Sequence, residues 1–224
     1  MESNDERLSR RSLVGLGGLA AAALAGGGLR VPGSQAAPVS CVLTPEQTEG
    51  PYYIDGEKVR RDITEGKPGV ALRLRTTLVD AATCSVIKGA AVDIWHCDAI
   101  GVYSGFGSGA RSRTFLRGIQ RTDAKGVAVF DTLYPGWYEG RTVHIHVKVH
   151  IGGTVAHTGQ LYFPEAVTDA VYKRVPYRSR PDRSSRNADD PIFRDGGARS
   201  MLRLTRSGSG YLAAITMGVR RDRD

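Results

Sequence analysis

The sequence predicts an all-β protein, an antiparallel β-sandwich with long loops and little helix. Three observations support this fold class. Short runs of residues alternate between apolar and polar side chains, which is typical of strands that pack one face on a core. Glycine and proline are frequent between these runs and indicate turns. Helical patterns do not follow each strand, as the crossovers of a parallel sheet would require.

The elements can be predicted in chain order. Residues 70–79 alternate between apolar and polar types and predict the first long strand. Similar runs predict further strands over residues 90–95, 127–130, 142–150 and 155–163, and a last hairpin over residues 202–205 and 211–219. The spacing of apolar residues predicts a short helix over residues 165–174, and residues 176–200 are expected to form a loop.

The N-terminal residues have the features of an export signal. A pair of arginines precedes an apolar, glycine-rich run over residues 13–29, and residues 34–36 form a small-x-small cleavage site. The sequence therefore predicts a twin-arginine signal peptide over residues 1–36 and a single domain over residues 37–224. We expect an exported protein, extracellular or associated with the cell wall, that has no membrane contact after signal cleavage.

The chain is basic, with a formal net charge of +8, and many of its arginines lie in the last third. A basic surface can attract nucleic acid or another polyanion. Aspartates are interleaved with these arginines, however, and no nucleic-acid-binding motif accompanies them. We therefore expect no nucleic-acid partner. The oligomeric state, including a homo-oligomer, stays open.

The chain has 3 cysteines, and an exported protein meets an oxidising compartment. Cys41 and Cys84 lie in loop-like contexts, and we predict a disulfide between them that ties an N-terminal arm to the sandwich. Cys97 follows a strand with buried character and is expected to be an inert thiol. No C-x-x-C spacing indicates a zinc site.

The most informative stretch is the alternating run over residues 142–150. Its valines and isoleucine point to one face of a strand, whereas His144, His146, Lys148 and His150 point to the other. Residues two apart on a strand share a face and lie about 6.5–7 Å apart at the backbone, so two imidazoles can converge on one metal ion. An H-x-H pair alone also fits a strand whose polar face meets solvent, and both interpretations stay open at this point.

Two tyrosines in predicted loops, Tyr103 and Tyr138, flank the histidine pair. Ferric iron is a hard cation that favours anionic oxygen donors and accepts imidazole. The pKa of a phenol is ordinarily about 10, but a bound cation favours the deprotonated form. Two tyrosinates and two neutral imidazoles would therefore suit Fe³⁺.

Further motifs accompany these residues in a fixed order along the chain. They are Thr-Glu-Gly-Pro-Tyr-Tyr (48–53), Ile-Trp-His-Cys-Asp-Ala (94–99) running on to Gly-Val-Tyr (101–103), Thr-Asp (122–123) with Gly126, Pro-Gly-Trp-Tyr (135–138), Arg-Thr-Val-His-Ile-His (141–146) and Gln-Leu-Tyr-Phe (160–163). Together they resemble the intradiol ring-cleavage dioxygenases, the family of the catechol and protocatechuate dioxygenases. The resemblance covers roughly residues 44–163 and implies the β-sandwich core of that family.

The resemblance implies a role for each matching residue. The residues that match the family's iron ligands are Tyr103, Tyr138, His144 and His146. Tyr138 matches the ligand that leaves the iron when substrate binds. Arg141 matches an arginine that stabilises negative charge beside the substrate ring, and Gln160 matches a glutamine that supports the site.

The implied activity is that of a non-haem Fe(III) dioxygenase. Such an enzyme cleaves a catechol-type diol with O₂ between the two hydroxyl-bearing carbons and gives a cis,cis-muconate-type diacid. The expected partners are therefore a small catechol-type molecule and O₂. Catechol, protocatechuate, hydroxyquinol and a plant-derived phenolic all stay open as the diol, and the export signal favours an extracellular one.

The remaining histidines are expected to have no catalytic role. His96 follows a strand end and is predicted to be structural, His150 is predicted at the rim of the sheet, and His157 is predicted at the surface. The chain also departs from the family, because it shows no helical N-terminal segment of the kind through which catechol dioxygenases dimerise. Their dimer is therefore not implied.

A second interpretation is an exported binding module without metal. Residues 89–92, 122–126 and 135–138 also resemble parts of small transthyretin-like or collagen-binding-B-like sandwich domains. This alternative predicts no bound iron and gives no shared purpose to Tyr103 and the histidine pair.

Overall fold

Two four-stranded sheets form the protein in the computed structural model, which describes residues 41–56 and 58–221. The strands are β1 (Ala71–Asp80), β2 (Ala91–Trp95), β3 (Arg117–Arg121), β4 (Val127–Leu133), β5 (His144–Ile151), β6 (Thr154–Tyr162), β7 (Arg203–Ser207) and β8 (Gly210–Val219). One sheet has the order β4–β1–β8–β7 and the other has the order β3–β2–β5–β6. The predicted all-β sandwich is confirmed, whereas the signal predicted at residues 1–36 lies outside the described residues.

One strand pair is parallel, although the sequence predicted an antiparallel sandwich. Strand β8 runs parallel to β1, from the pair Leu72–Tyr211 to the pair Asp80–Val219. A parallel pair needs a long connection between its strands, and here the rest of the domain provides it. The β7–β8 hairpin inserts beside β1 after the chain has completed the other sheet, so its direction was not fixed by a local turn.

Helix is short and confined to the second half of the described chain. Helix α1 (Glu165–Tyr172) lies within the predicted helix, and helix α2 (Pro191–Arg194) lies within the predicted loop. Three single-turn 3₁₀ helices also occur, at Tyr177–Ser179, Asn187–Asp189 and Gly197–Ser200. None of the helices in the described part of the chain has the length and apolar character that a membrane span requires.

A turn over residues 121–126 predicts a strand on either side of it, but no range was predicted for β3 because its residues, Arg-Gly-Ile-Gln-Arg, do not alternate between apolar and polar types. Arg117, at its start, is almost completely buried. Gly118 leaves room for Ile63, whose Cγ2 atom would lie 2.7 Å from a Cβ at that position. Pairing with β2, rather than a hydrophobic pattern, therefore defines this strand.

Both faces of β5 are buried, which corrects the interpretation that its polar face meets solvent. Ile145 and Val147 pack in the core between the sheets, as the alternation predicted. On the opposite face, however, His144 is 3% exposed and His146 is fully buried. Residues 41–53, which we call the N-terminal arm, cover this face: Glu49 forms an ion pair with Lys148, the residue that follows His146 in the polar row.

The N-terminal arm is attached to the sandwich at its start and in its middle. A disulfide joins Cys41 at its start to Cys84 in the loop after β1. The arm then runs along the free edge of β6, where the backbone N–H of Gln47 donates to the carbonyl of Thr158. The prediction that His157 lies at the surface is therefore wrong: it is 2% exposed, because the arm covers this part of β6.

Candidate metal centre

Strand β5 brings the two predicted histidines together. His144 and His146 point to the same face, and their Nε2 atoms are 3.1 Å apart. His144 donates through Nδ1 to the carbonyl of Thr142 at 2.7 Å, which leaves an unprotonated Nε2 facing the centre. The ring of Trp95 stacks on His146 with a centroid distance of 4.9 Å and so fixes the plane of that imidazole.

The two tyrosines reach the same point from separate loops. The Tyr138 hydroxyl lies 3.2 Å from His144 Nε2. Tyr103 follows a tight turn in which the Asp98 carboxylate accepts from the backbone N–H groups of Ile100 and Val102. The Tyr103 hydroxyl is buried and has no hydrogen-bond partner among the described residues.

The two tyrosine loops are held against each other by backbone contact. The N–H of Gly136 donates to the carbonyl of Asp98 at 3.0 Å, and a Cβ at Gly136 would collide with the same carbonyl. Glycine in the Pro-Gly-Trp-Tyr motif is therefore required by this close approach. The motif sets the separation of Tyr103 and Tyr138, whose ring centroids are 5.6 Å apart.

Burial controls the charge state of the histidines. It lowers the pKa of His144 to about 3 and lowers the pKa of His146 well below its usual value. The neighbouring Arg141 guanidinium lowers the pKa of both imidazoles further. Both rings are therefore neutral at neutral pH, which is the state that can bind a metal ion.

Burial has the opposite effect on the phenols. It raises the pKa of Tyr103 well above its ordinary value and raises the pKa of Tyr138 to about 12. Without a cation both hydroxyls would therefore stay protonated, whereas a bound metal ion would reverse this preference. The donor set is thus one that a strongly charged cation would complete.

The spacing of the donor atoms fits ligation of one ion. Two ligands bonded at about 2.1 Å to one ion and set at right angles lie about 3 Å apart. The Nε2 atoms of His144 and His146 are 3.1 Å apart, and Tyr138 Oη is 3.2 Å from His144 Nε2. The unpaired Tyr103 hydroxyl adds a fourth donor. These residues could therefore hold a metal ion that accepts oxygen and nitrogen ligands.

Arg141 and Gln160 lie beside this centre, as the resemblance implied. Arg141 Nη1 is 3.4 Å from the Tyr138 hydroxyl, and Arg141 Nη2 donates to Gln160 Oε1 at 2.5 Å. Gln160 donates in turn to the carbonyl of Thr48 at 3.0 Å, which links the N-terminal arm to the site. Asp190 was not predicted as a site residue, yet its carboxylate accepts from Arg141 Nε at 2.9 Å.

Aromatic side chains enclose the other side of the centre. Tyr52, from the N-terminal arm, stacks on Tyr103 with a centroid distance of 4.2 Å. It also contacts Phe106 and Tyr138 edge to face. The arm approaches so closely that a Cβ at Gly50 would lie 3.2 Å from His146 Cε1. Tyr52 belongs to the Thr-Glu-Gly-Pro-Tyr-Tyr motif, although no role was predicted for it, whereas Phe106 lies in none of the motifs.

The remaining histidines lie apart from the centre. His96 is fully buried, and its ring nitrogens bond to the carbonyl of Cys97 and the hydroxyl of Thr132, in a structural position. His150 is half-buried towards the end of β5. Within the described part of the chain, no three His, Cys, Asp or Glu side chains converge on a common point, so a metal centre here depends on the tyrosines.

The fold and the centre together define a β-sandwich protein with a buried histidine–tyrosine site suited to a hard cation. Residues 48–173 match the family described as "Dioxygenase", which is more than half of the chain. The chain is also 36% identical to an intradiol ring-cleavage dioxygenase from Tetranychus urticae, with a TM-score of 0.75 over 80% of this chain and 95% of that one. The chain therefore belongs to the intradiol ring-cleavage dioxygenase family.

Two further relatives agree with this assignment. The dioxygenase domain of a dioxygenase–carbohydrate-binding fusion from Streptomyces sp. SirexAA-E is 30% identical, with a TM-score of 0.62 over 78% of this chain and 96% of that one. Catechol 1,2-dioxygenase 1 from Acinetobacter lwoffii is 36% identical over 101 residues, which are 42% of this chain and 32% of that protein. The chain thus spans about a third of the length of this catechol dioxygenase. These matches do not favour the metal-free binding module.

Proposed function

We propose that this chain binds Fe³⁺ through Tyr103, Tyr138, His144 and His146 and cleaves a catechol-type diol with O₂. The bond broken is the one between the two hydroxyl-bearing carbons, and the product is a cis,cis-muconate-type diacid. The observation that carries the proposal is the meeting of two buried, neutral imidazoles and two phenols, with neighbouring donor atoms 3.1 and 3.2 Å apart. The family of the chain and the names of its relatives support the same reaction.

The donor chemistry favours ferric iron over other metals. Phenolate oxygen is a hard, anionic donor, and a trivalent cation gains most from it. Zinc sites in proteins are built from Cys, His and carboxylate ligands, whereas the donors that meet at this centre are two imidazoles and two phenols.

When bound, ferric iron would withdraw electron density from a chelated diol and so make its ring carbons reactive towards O₂. The protein's own contribution is to move protons and hold charge. Tyr138 Oη stands between His144 Nε2 and Arg141 Nη1, so as a phenolate it can accept a proton from a diol hydroxyl at that atom. Arg141 then faces the negative charge of the deprotonated diol.

Other side chains of the site orient these groups and exclude water. Gln160 fixes Arg141, and Trp95 fixes the ring plane of His146. Tyr52 and Phe106 provide an aromatic surface beside the tyrosine pair against which a flat ring can pack. The diol would therefore enter a site that already holds its catalytic groups in place.

We also propose that the enzyme is exported and acts on an extracellular phenolic diol. The twin-arginine pattern in residues 1–36 and the disulfide between Cys41 and Cys84 support this proposal, since disulfides persist in oxidising compartments. Catechol is the first substrate to test, because the name of the Acinetobacter lwoffii relative contains it.

An absorption spectrum and an iron assay on the purified full chain test the metal proposal. We expect about one iron per chain and a visible tyrosinate-to-iron charge-transfer band that shifts to the red when catechol is added without O₂. A colourless protein that stays free of iron after reconstitution with ferric and ferrous salts would contradict the proposal. It would favour the alternative interpretation, a binding module without metal.

A further inference from the structure

We propose that Asp190 is a positioning residue of the centre, which holds Arg141 towards Tyr138 and, through Thr142, holds His144 towards the metal. This inference rests on the proposed function and extends it to a segment of the chain, residues 176–200, that had no assigned purpose. Asp190 lies 49 residues after Arg141 in the sequence, and it is fully buried beside it in the fold.

The Asp190 carboxylate accepts four hydrogen bonds from other described residues. Its Oδ2 atom accepts from Arg141 Nε at 2.9 Å and from the backbone N–H of Thr142 at 2.9 Å. Its Oδ1 atom accepts from the backbone N–H groups of Ile192 and Phe193, at 2.8 and 3.3 Å, and so caps helix α2. The two oxygens therefore have different tasks, one at the helix and one at the centre.

The first consequence concerns the direction of the Arg141 guanidinium. Its donors form a rigid planar fork, so binding two of its nitrogens fixes the third. Nε is bound by Asp190 and Nη2 is bound by Gln160, which leaves Nη1 facing the Tyr138 hydroxyl at 3.4 Å. The Arg141 side chain is still 14% exposed, so without its carboxylate partner it could turn towards solvent.

The second consequence concerns His144. The backbone N–H of Thr142 donates to Asp190, and the carbonyl of the same residue accepts from His144 Nδ1 at 2.7 Å. The Thr142 hydroxyl donates to Asn187 Oδ1 at 2.6 Å, from the same segment as Asp190. Residues 187–190 therefore hold Thr142, just before β5, in place through hydrogen bonds. These bonds keep His144 Nε2 directed at the centre.

A role in helix capping alone does not explain these contacts. An N-cap needs a single side-chain oxygen that accepts from the first turn, and Asp190 Oδ1 supplies it. Oδ2 takes no part in the cap, yet it accepts two hydrogen bonds from residues beside the centre. Burial of a carboxylate is unfavourable unless the charge is paired, and Arg141 provides that pairing.

The test compares Asp190→Asn with Asp189→Asn in the full chain. Asp189 is the matched control, since it is the preceding residue and its carboxylate accepts from the backbone N–H of Arg186, away from Arg141. In iron-loaded protein we expect Asp190→Asn to keep the charge-transfer band and to lower kcat for catechol about 10- to 100-fold. Asp189→Asn should stay within about twofold of the unmodified chain.

A double-mutant cycle identifies Arg141 as the route of the effect. If Asp190 acts mainly through Arg141, then Asp190→Asn should lower kcat by a much smaller factor in a chain that already carries Arg141→Lys than in the unmodified chain, and only the part that acts through Thr142 and His144 should remain. Effects that multiply would overturn the proposal. So would a kcat of Asp190→Asn within twofold of that of Asp189→Asn.

A second readout needs neither iron nor activity. In ¹⁵N-labelled, metal-free protein, the Arg141 Nε–H signal is assigned by its absence from Arg141→Lys. We expect this hydrogen to exchange slowly in the unmodified chain and in Asp189→Asn, and quickly in Asp190→Asn. Fast exchange in the unmodified chain would overturn the proposal even if the enzyme is active. Failure of the proposed function would show separately, as an unmodified chain without iron or dioxygenase activity.

If Asp190→Asn does not fold, Asp190→Ser replaces it. Serine retains the cap of helix α2 through its hydroxyl but is too short to reach Arg141. The same loss of Nε–H protection and the same fall in kcat are expected. If neither variant folds, the exchange of the Arg141 Nε–H in the unmodified chain decides between slow exchange, which supports the contact, and fast exchange, which excludes it.

Discussion

Burial affects the protonation of the histidines and of the tyrosines of the centre in different ways, and one bound cation would suit both kinds of residue. Burial keeps His144 and His146 neutral, as ligands must be, and it also keeps the Tyr103 hydroxyl protonated, as a ligand must not be. The Tyr103 hydroxyl is buried without a hydrogen-bond partner among the described residues, a costly arrangement in a folded protein. A metal ion bound to the Tyr103 oxygen would remove this energetic cost and would explain why a tyrosine is buried at this position.

Replacement of Tyr103 by phenylalanine tests this explanation. The variant loses one anionic donor while the ring keeps its stacking on Tyr52. We expect at least about a tenfold loss of iron affinity and a weaker charge-transfer band, with little loss of stability in the metal-free protein, since the hydroxyl removed has no partner there. Iron titration and denaturant unfolding measure the two effects.

Tyr53→Phe is the matched control for this prediction. Tyr53 belongs to the same aromatic group, but its hydroxyl donates to Asp55 rather than facing the centre. The iron affinity of Tyr53→Phe should equal that of the unmodified chain. Equal iron affinities of Tyr103→Phe and Tyr53→Phe would contradict the assignment of Tyr103 as a ligand.

At the scale of elements, the N-terminal arm is what turns a sheet surface into an enclosed site. Strand β5 presents its polar face outside the sandwich core, and the arm covers it from Gln47 to Tyr53. Gly50 passes close to a histidine of the centre: its φ is +72°, and a Cβ there would lie 3.2 Å from His146 Cε1. The motif Thr-Glu-Gly-Pro-Tyr-Tyr therefore covers the polar face of β5 in addition to forming a turn.

Gly50→Ala should disturb the centre through this contact. The added methyl group must push against His146, so we expect weaker iron binding and a shifted charge-transfer band. Gly56→Ala separates this effect from backbone strain, since Gly56 has a similar φ of +77° and no atom within 4 Å of a Cβ. Both variants should lose roughly 1–2 kcal/mol of stability from the left-handed conformation.

Only Gly50→Ala should change the spectrum. A spectrum of Gly50→Ala identical to that of Gly56→Ala, in protein loaded with equal iron, would show that the arm does not bear on His146.

For the whole molecule, buried histidines make the stability of the metal-free protein depend on pH. Burial lowers the pKa of His96 and of His157 to about 4, whereas a histidine in the unfolded chain has a pKa near 6.5. Below pH 6.5 the unfolded state therefore binds more protons than the folded state, and the free energy of unfolding decreases as the pH falls towards 4. Each histidine contributes about 3 kcal/mol over this range.

Denaturant unfolding of the metal-free chain at pH 7.0, 6.0, 5.0 and 4.5 measures this dependence. The range begins above the ordinary pKa of His, about 6.5, and ends above the ordinary pKa of Asp, about 4. His157→Gln should reduce the slope, because it removes one of the titrating groups. A free energy of unfolding that stays constant or increases from pH 6.5 to 4.5 would contradict the prediction.

Many features of the fold and of the centre could be predicted from the sequence, and the remaining features depend on contacts between distant segments. The period of β5 showed that His144 and His146 share a face, because side-chain direction on a strand is a local property. It did not show that this face is covered, since the cover comes from an arm about a hundred residues earlier, as in the ion pair of Glu49 with Lys148, 99 residues apart. No range was predicted for strand β3 because pairing, not alternation, forms it.

Asp190 was not predictable for a related reason. Its position before Pro191 indicates the start of a helix and nothing more. Its second oxygen meets Arg141 only because residues 176–200 fold back across the start of β5. The motifs of the family likewise contain Tyr103, Tyr138, His144 and His146 but do not include Asp190.

Oxygen labelling tests the central claim most directly. The full iron-loaded chain is supplied with catechol under ¹⁸O₂, and the products are identified by mass spectrometry. We predict a cis,cis-muconate that contains both atoms of one labelled O₂ molecule, and no such product from Tyr103→Phe freed of iron. An unlabelled quinone, or a ring-opened aldehyde from cleavage beside the diol, would contradict the assignment of this chain as an intradiol dioxygenase.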